Sequence, residues 1–449
     1  MHQTTDEREG PCRTRYGRIR RCGCLSIIAV VVLVALAPRA ARAALCTGRV
    51  MDEERHQPIA DAIVTSENTV VRTDRDGIFH IDATGDYVGV RAYGYLRAQV
   101  SLSRFAGGAV PEIPLEWFRP KALYLSFYGI GSRTLREDAL RLIETTELNA
   151  VVIDVKGDRG MIAYRSAIPL AAQSSAQSNI TIPDLKALLA SLHQRGIYTI
   201  ARIVVFKDSP LASARPDLAV RTVSGAIFRD REHLAWTNPY SKIVRDYNIA
   251  VAVEAAQSGF DEIQFDYLRL PDVRGGRLAM PGPNTEQNRV APINAFLAEA
   301  RTALTPYNVF VAADIFGYVC WNLDDTHIGQ QLRDVAGLVD YVSPMLYPSG
   351  FQFGIPGYKN PVRHPYEIVN LSLARARQRT GLAPVRFRPW LQAFRDYAFG
   401  HVPFGGTEIR TQIDAAEAFG SDGWMLWNPH NRYSQEGLKY DYAEQARPQ

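Results

Sequence analysis

From about residue 120 the chain alternates two patterns. Short runs of β-branched and aromatic residues are followed by longer segments in which apolar residues return every three or four positions. The short runs predict strands over Ala122–Phe127, Ala150–Val155, Ile197–Val205, Glu262–Asp266, Val309–Asp314, Tyr341–Leu346, Arg386–Ala393 and Gly423–Trp427. The longer segments predict helices over Leu135–Thr146, Ile182–Arg195, Pro239–Gln257, Glu286–Leu304, His364–Thr380 and Glu408–Phe419, with a shorter one over Thr326–Val335. Gly196 and Gly259 fall just past two of them, where a left-handed C-cap residue belongs. Strand–helix alternation is the rhythm of a parallel sheet. An α/β fold of eight strands and seven or more helices over about 310 residues fits a (β/α)8 TIM barrel. An open doubly wound sheet is the alternative. It is disfavoured because Tyr128-Gly-Ile-Gly131 after the first strand lacks the third glycine of a dinucleotide-binding turn.

Before residue 120 the period is two. Short alternating stretches at Thr47–Met51, Asp61–Thr65, Val70–Thr73, Gly77–Ile81, Tyr87–Ala92 and Ala98–Leu102 are separated by turn residues, Asp74-Arg-Asp-Gly77 among them. Pro111-Glu-Ile-Pro114 closes the series. The pattern predicts a small β-sandwich over residues 44–116, a boundary near 116–120, a barrel over 120–433 and a C-terminal tail over 434–449.

In a TIM barrel the chemistry sits where strands end. Those ends carry Tyr128, Asp154 with Lys156, Lys207-Asp208, Asp266-Tyr-Leu-Arg269, Asp314, Tyr347, Trp390 with Gln392, and Trp427-Asn-Pro-His430. Charge at a buried strand end is costly without a partner or a role. Aromatic rings suit the apolar CH faces of sugars, and carboxylates, Arg and Asn suit their hydroxyls. Tyr128, Lys156, Tyr267, Arg269, Tyr347, Trp390, Gln392, Trp427, Asn428 and His430 are therefore candidate substrate-binding residues. Trp321 is a further ring, though such rings also serve as packing. Glycoside hydrolysis needs two carboxyl groups flanking the bond. Asp266 and Asp314, on the fourth and fifth strands, are the best pair by position, and Asp154 is a third catalytic candidate. Arg269 is close enough in sequence to pair with Asp266, and the neighbours Lys156 and Asp158 make an ion-paired structural role an alternative for Asp154. Asp261 and Glu262 open the fourth strand, at the opposite end of the barrel, where charge serves stability.

The 449 residues are 46% hydrophobic and 22% charged, ample for a large core. The formal charge of +4 is concentrated in the first 21 residues, so no nucleic-acid footprint follows. That basic stretch precedes an apolar run, Leu25–Ala37, and Ala41-Arg-Ala43 follows it. The run of 13 residues is short against the ~20 of a spanning helix, and the whole reads as a signal peptide. Export is expected, to the periplasm, cell envelope or exterior, with membrane attachment only if the segment stays uncleaved. Cys12, Cys22 and Cys24 lie in that leader. Cys46 and Cys320 remain, too few for a disulfide framework. No cofactor and no metal are expected: a metal-dependent hydrolase or deacetylase wants paired histidines at a strand end, and the nine histidines are scattered. The expected partner is a carbohydrate substrate, and the expected state a monomer.

Two resemblances add to this. Gly48-Arg-Val50, Pro58-Ile-Ala-Asp-Ala-Ile-Val64, Thr73-Asp-Arg-Asp-Gly-Ile-Phe79 and Ala92-Tyr-Gly-Tyr95 resemble the carboxypeptidase-regulatory-like, transthyretin-like β-sandwich family. That resemblance implies a noncatalytic accessory domain. Asn149-Ala-Val-Val-Ile-Asp-Val-Lys-Gly157, Trp236-Thr-Asn-Pro239, Phe260 through Pro271, Ala313-Asp-Ile-Phe-Gly317, Asp340 through Pro348 and Gly423 through Pro429 resemble a glycosyl hydrolase TIM-barrel family formerly classed as a domain of unknown function. It is related to the alpha-amylase-like clan. The resemblance implies a carbohydrate-active barrel in which Asp266 corresponds to the strand-four nucleophile. The clan's strand-five acid is Glu, whereas this chain has Asp314. A noncatalytic polysaccharide-binding or envelope-scaffold protein is the alternative that this departure keeps open.

Overall fold

The computed structural model describes residues 44–440 apart from 108 and 274–277. The basic and apolar leader expected over residues 1–43 lies outside the described residues.

Residues 44–115 form two small sheets. Strands β1 (Ala44–Asp52), β4 (Ile78–Ala83) and β7 (Glu112–Leu115) make one, in the order β4-β1-β7. Strands β2 (Ile63–Ser66), β3 (Thr69–Arg72), β5 (Tyr87–Arg91) and β6 (Ala98–Ser101) make the other, in the order β3-β2-β5-β6. Their inward residues, among them Val50, Val64, Phe79, Ile81, Val88, Val90 and Ile113, form one apolar core. The alternation seen in the sequence is this half-buried pleat. The Asp74 turn is held by its own carboxylate, which accepts from the backbone N–H of Asp76 (2.9 Å) and Ile78 (2.8 Å).

The rest of the chain is a closed barrel of eight parallel strands. In chain order they are β8 (Lys121–Leu125), β9 (Ala150–Lys156), β10 (Tyr198–Val204), β12 (Glu262–Asp266), β14 (Phe310–Phe316), β15 (Tyr341–Met345), β16 (Trp390–Gln392) and β17 (Trp424–Trp427). A two-stranded ribbon of β11 (Arg221–Thr222) and β13 (Leu278–Ala279) lies in the long loops after β10 and β12. The helices are α1 (Phe127–Gly131), α2 (Arg133–Thr145), α3 (Pro169–Gln173), α4 (Leu185–Gln194), α5 (Ser209–Ala214), α6 (Lys242–Ser258), α7 (Glu286–Leu304), α8 (Leu332–Leu338), α9 (Pro365–Thr380) and α10 (Gly406–Phe419). The pleat splits the core in two. Leu123, Val151, Ile153, Ile203, Ile263, Phe265, Val311 and Val342 face outward beneath the helices. Ala122, Tyr124, Val152, Tyr198, Ile200, Trp390 and Met425 fill the lumen.

Local chemistry explains most element ends. Asp184 caps α4 by accepting from the Ala187 N–H at 2.9 Å. Gly259 ends α6 at φ 117°, and Gly196 sits past α4 at φ 70°. The helix expected over Thr326–Val335 is a correction: α8 starts only at Leu332. Thr326 and His327 hold left-handed φ values of 56° and 58°, and the Asp325 carboxylate accepts from the N–H of His327 and Gly329. That turn, pinned by a buried Arg289–Asp325 pair at 2.6 Å, displaces the first helical turns.

The sandwich seals the end of the barrel where strands begin. Phe118 packs on Tyr198 at 5.5 Å between ring centres, and the Tyr341 hydroxyl accepts from the Gly94 N–H at 3.3 Å. Asn308 donates to the Ala98 carbonyl (3.0 Å), and Arg97 to the Phe260 carbonyl (2.9 Å). Just inside this floor, Arg388 is fully buried. It holds Glu262 at 2.6 Å and Asp422 at 2.7 Å.

Candidate active site

At the opposite end Asp154, Asp266 and the loop residue Asp158 gather around one cation, with Asp314 on the next strand. Register pairs Asp154 on β9 with Arg202 on β10, Asp266 on β12 with Val204, and Phe265 with Ala313, one residue before Asp314 on β14. Arg202 has no exposed surface. Its Nη1 donates to Asp154 Oδ1 (2.6 Å), its Nη2 to Asp266 Oδ2 (2.6 Å) and Asp158 Oδ1 (2.8 Å), and its Nε to Asp266 Oδ2 (3.0 Å). Its guanidinium also lies 4.8 Å from the Trp427 ring centre, and Trp427 stacks on Tyr124 at 4.0 Å. A planar, permanently charged fork suits this task; a lysine would not.

The acids differ in their surroundings. Asp154 is saturated: its second oxygen accepts from the Tyr124 hydroxyl (2.7 Å) and the Phe127 N–H (3.0 Å). Burial pushes its carboxyl up to about 6, with the Arg202 charge working against that rise. Asp314 is fully buried and pairs with no cation among the described residues. One oxygen accepts from Trp390 Nε1 at 2.8 Å, and the other has no hydrogen-bond partner among the described residues. Burial first, then the nearby charge of Asp266, pushes the Asp314 carboxyl well above the usual range. Asp158, on the loop after β9, is the most exposed of the four, its side chain 38% accessible. Tyr347 borders the acids. Burial, then Asp314 and Asp266, raise its phenol well above the usual value.

Immediately after Asp266, Tyr267 stands at φ 48° and donates its N–H to Asp266 Oδ1 at 2.5 Å. A left-handed aromatic residue is a strained exception, and such strain gathers at functional sites. The turn it makes carries Arg269 away from Asp266. Arg269 stacks against Trp236 (4.9 Å) and Tyr267 (5.2 Å), so the ion pair expected between Arg269 and Asp266 is replaced by Arg202.

The other sequence-derived candidates divide. Trp427 and Tyr347 are half-buried beside the acids, Trp390 is a buried donor to Asp314, and Tyr128, expected at the end of the first strand, lies 59% exposed in α1 just beyond it. Lys156 is a correction. Register slips by one residue between Arg202 and Ile203, so Lys156 pairs with Ile203 and follows it to the outer face. There it is sealed against Asp208 (2.7 Å), Asn248 (3.0 Å) and the Val204 carbonyl (2.9 Å), with no surface for a substrate. Gln392 is likewise buried, bonded to Ser349 and to the Phe394 carbonyl. Asn428 spends its amide on the Ala393 and Arg432 carbonyls and on the N–H of an exposed His430. Trp321 donates to Ser372 on α9 and braces that helix. Sequence reasoning missed Arg202, Tyr124 and the part played by Asp158. The available signal was one arginine in the otherwise uncharged strand Tyr198–Val204.

Several solved structures are similar to this chain. The glycoside hydrolase domain of PgaB (BpsB) from Bordetella bronchiseptica is 15% identical, over 70% of this chain and 95% of that one, with a TM-score of 0.48. A class V chitinase from Pseudomonas fluorescens is 13% identical over 70% and 96%, with a TM-score of 0.43. A hypothetical protein from Ruminiclostridium thermocellum is 38% identical over 43% of this chain and 96% of that one, with a TM-score of 0.38. No curated protein matches the chain. A family model does match, over residues 122–433, which is most of the chain and the whole barrel: the protein belongs to the family described as “Putative glycosyl hydrolase domain”.

Proposed function

We propose that the protein cleaves glycosidic bonds in a polysaccharide or oligosaccharide, outside the cytoplasm, with Asp266 as nucleophile or base and Asp314 as acid. The observation that carries this is the contrast between the two carboxyl groups. Asp266 sits against a permanent cation and keeps some exposed surface, whereas Asp314 is buried, has no cationic partner among the described residues and favours its proton. One carboxyl beside a permanent cation and a second buried without one, in the same mouth, is the kind of asymmetry that assigns base and acid. The two groups stand near the ends of adjacent strands, which run about 4.8 Å apart in a parallel sheet. Asp154 and Asp158 hold Arg202 from its other side, and Trp427 and Tyr347 offer ring faces for the sugar. The basic and apolar stretch ahead of Ala44 supports export.

The test is release of reducing ends from a panel of bacterial and plant polysaccharides. Asp266→Asn should lower turnover by about a thousandfold or more while the protein stays folded, since it removes one of two groups the reaction requires. Unchanged turnover in that variant rules the assignment out. A second reading, polysaccharide binding without cleavage, is favoured by one observation: Asp314 has no exposed surface, and one of its oxygens is already taken by Trp390. Binding without release of reducing ends across the panel would establish that reading.

A further inference from the structure

The loop after β16 is built to present a ring outward. Asp396, 1% exposed, accepts from Ser349 Oγ (2.7 Å) and from the N–H groups of Ala398 (2.9 Å), Phe399 (2.8 Å) and His401 (3.0 Å). Gln392 ties the same Ser349 to the Phe394 carbonyl, donating to each (2.8 and 3.0 Å). A buried carboxylate with four donors is a strong anchor. What it anchors is Tyr397, 54% exposed, parallel to Phe394 (6.1 Å, 7° between planes). Phe394 in turn meets Tyr347 edge-on at 5.4 Å, and Tyr347 borders Asp314 and Asp266. The rings form a continuous path from the acid pair to the surface. Tyr397 is stacked on Phe394 yet keeps 54% of its surface exposed, and a ring already held in place lowers the ordering cost of binding a flat apolar face.

We propose that Tyr347, Phe394 and Tyr397 are a binding tract for successive sugar units of a β-linked pyranose chain, leading away from the cleaved bond. This rests on the reading of the site as a carbohydrate hydrolase. Equatorial linkages leave such sugars with flat CH faces, which the parallel rings of Phe394 and Tyr397 match, with Tyr347 edge-on at the inner end of the tract. The tract makes a polymer, rather than a disaccharide, the preferred ligand.

The test is affinity electrophoresis of the full chain through gels containing glycol chitin, hydroxyethylcellulose or xylan. Wild type and Asp266→Asn should both be retarded by at least one polymer. Tyr397→Ala should bind that polymer about tenfold more weakly, the scale of one stacking contact, with an unchanged melting temperature, and Tyr397→Trp should bind as wild type does. Equal retardation of Tyr397→Ala and wild type, or no retardation of wild type by any gel, overturns the tract. Failure of the hydrolytic reading is separate: Asp266→Asn would then turn over like wild type, whatever Tyr397 does in the gel.

Discussion

The barrel buries an arginine among carboxylates at each end, and the two clusters are not alike. At the floor, Arg388 holds Glu262 and Asp422, and its guanidinium lies 4.2 Å from the Tyr341 ring centre, under the sandwich. At the mouth, Arg202 holds Asp154, Asp158 and Asp266 and lies 4.8 Å from the Trp427 ring centre. The ingredients are the same: a guanidinium, acids and an aromatic face. The floor cluster is closed, with one cation for two acids and all three side chains buried. The mouth cluster is open and overloaded, with one cation for three acids, one of them exposed, a fourth unpaired carboxyl beside it and a strained Tyr267 at its edge. The difference teaches that a buried ion pair is not a sign of function. Excess charge, exposure and strain together are.

The comparison breaks most visibly if each arginine is removed. Arg388→Ala leaves two buried acids without a cation and should cost about 3–5 kcal/mol of stability, read from denaturant midpoints. Turnover per folded molecule should be unchanged. Arg202→Ala should also destabilise, but it takes the counter-charge from Asp266 and should abolish release of reducing ends even in the folded fraction. Loss of turnover in folded Arg388→Ala would erase the distinction between floor and mouth.

How much of this was legible beforehand follows from the same physics. The eight strands were, because each is an apolar run bounded by turn chemistry, and burial on both faces leaves little ambiguity. Asp266 and Asp314 were legible as strand ends. Lys156 was not, because a one-residue bulge flips a side chain across the sheet and leaves no mark in composition. Gln392 and Asn428 look the same in sequence whether they bind a ligand or staple a loop, and their amides are spent on Ser349 and on backbone carbonyls. Arg202 hid inside a strand read as apolar, since a long side chain two residues before the strand's end can still reach the acids above it. The displaced α8 was hidden because Asp325 is held by Arg289, a partner 36 positions away.

A finer contrast lies in pH. Asp154 is raised to about 6 chiefly by burial. A carboxyl raised in the folded state favours folding while protonated, so its contribution is full below the unfolded value near 4 and is lost as pH rises through about 6. The stability of wild type relative to Asp154→Asn should therefore fall between about pH 4 and pH 7, by on the order of 3 kcal/mol. Parallel pH–stability curves for the two proteins would mean that Arg202 offsets the burial of Asp154 completely.

The smallest effect tests the turn that leads away from Asp266. Arg269 is stacked on Trp236 and Tyr267 and forms no ion pair among the described residues. Arg269→Lys keeps the charge and loses the planar stack, worth about 0.5–1 kcal/mol at a partly exposed site. If the guanidinium only braces the strained turn, that loss appears as a lower melting temperature at constant KM. If its free donors also hold substrate hydroxyls, KM rises severalfold while kcat changes little, because binding is lost equally from ground and transition states. A fall in kcat at constant KM would instead tie the turn to the position of Asp266 itself, and would extend the mouth cluster from Arg202 to the second arginine beside it.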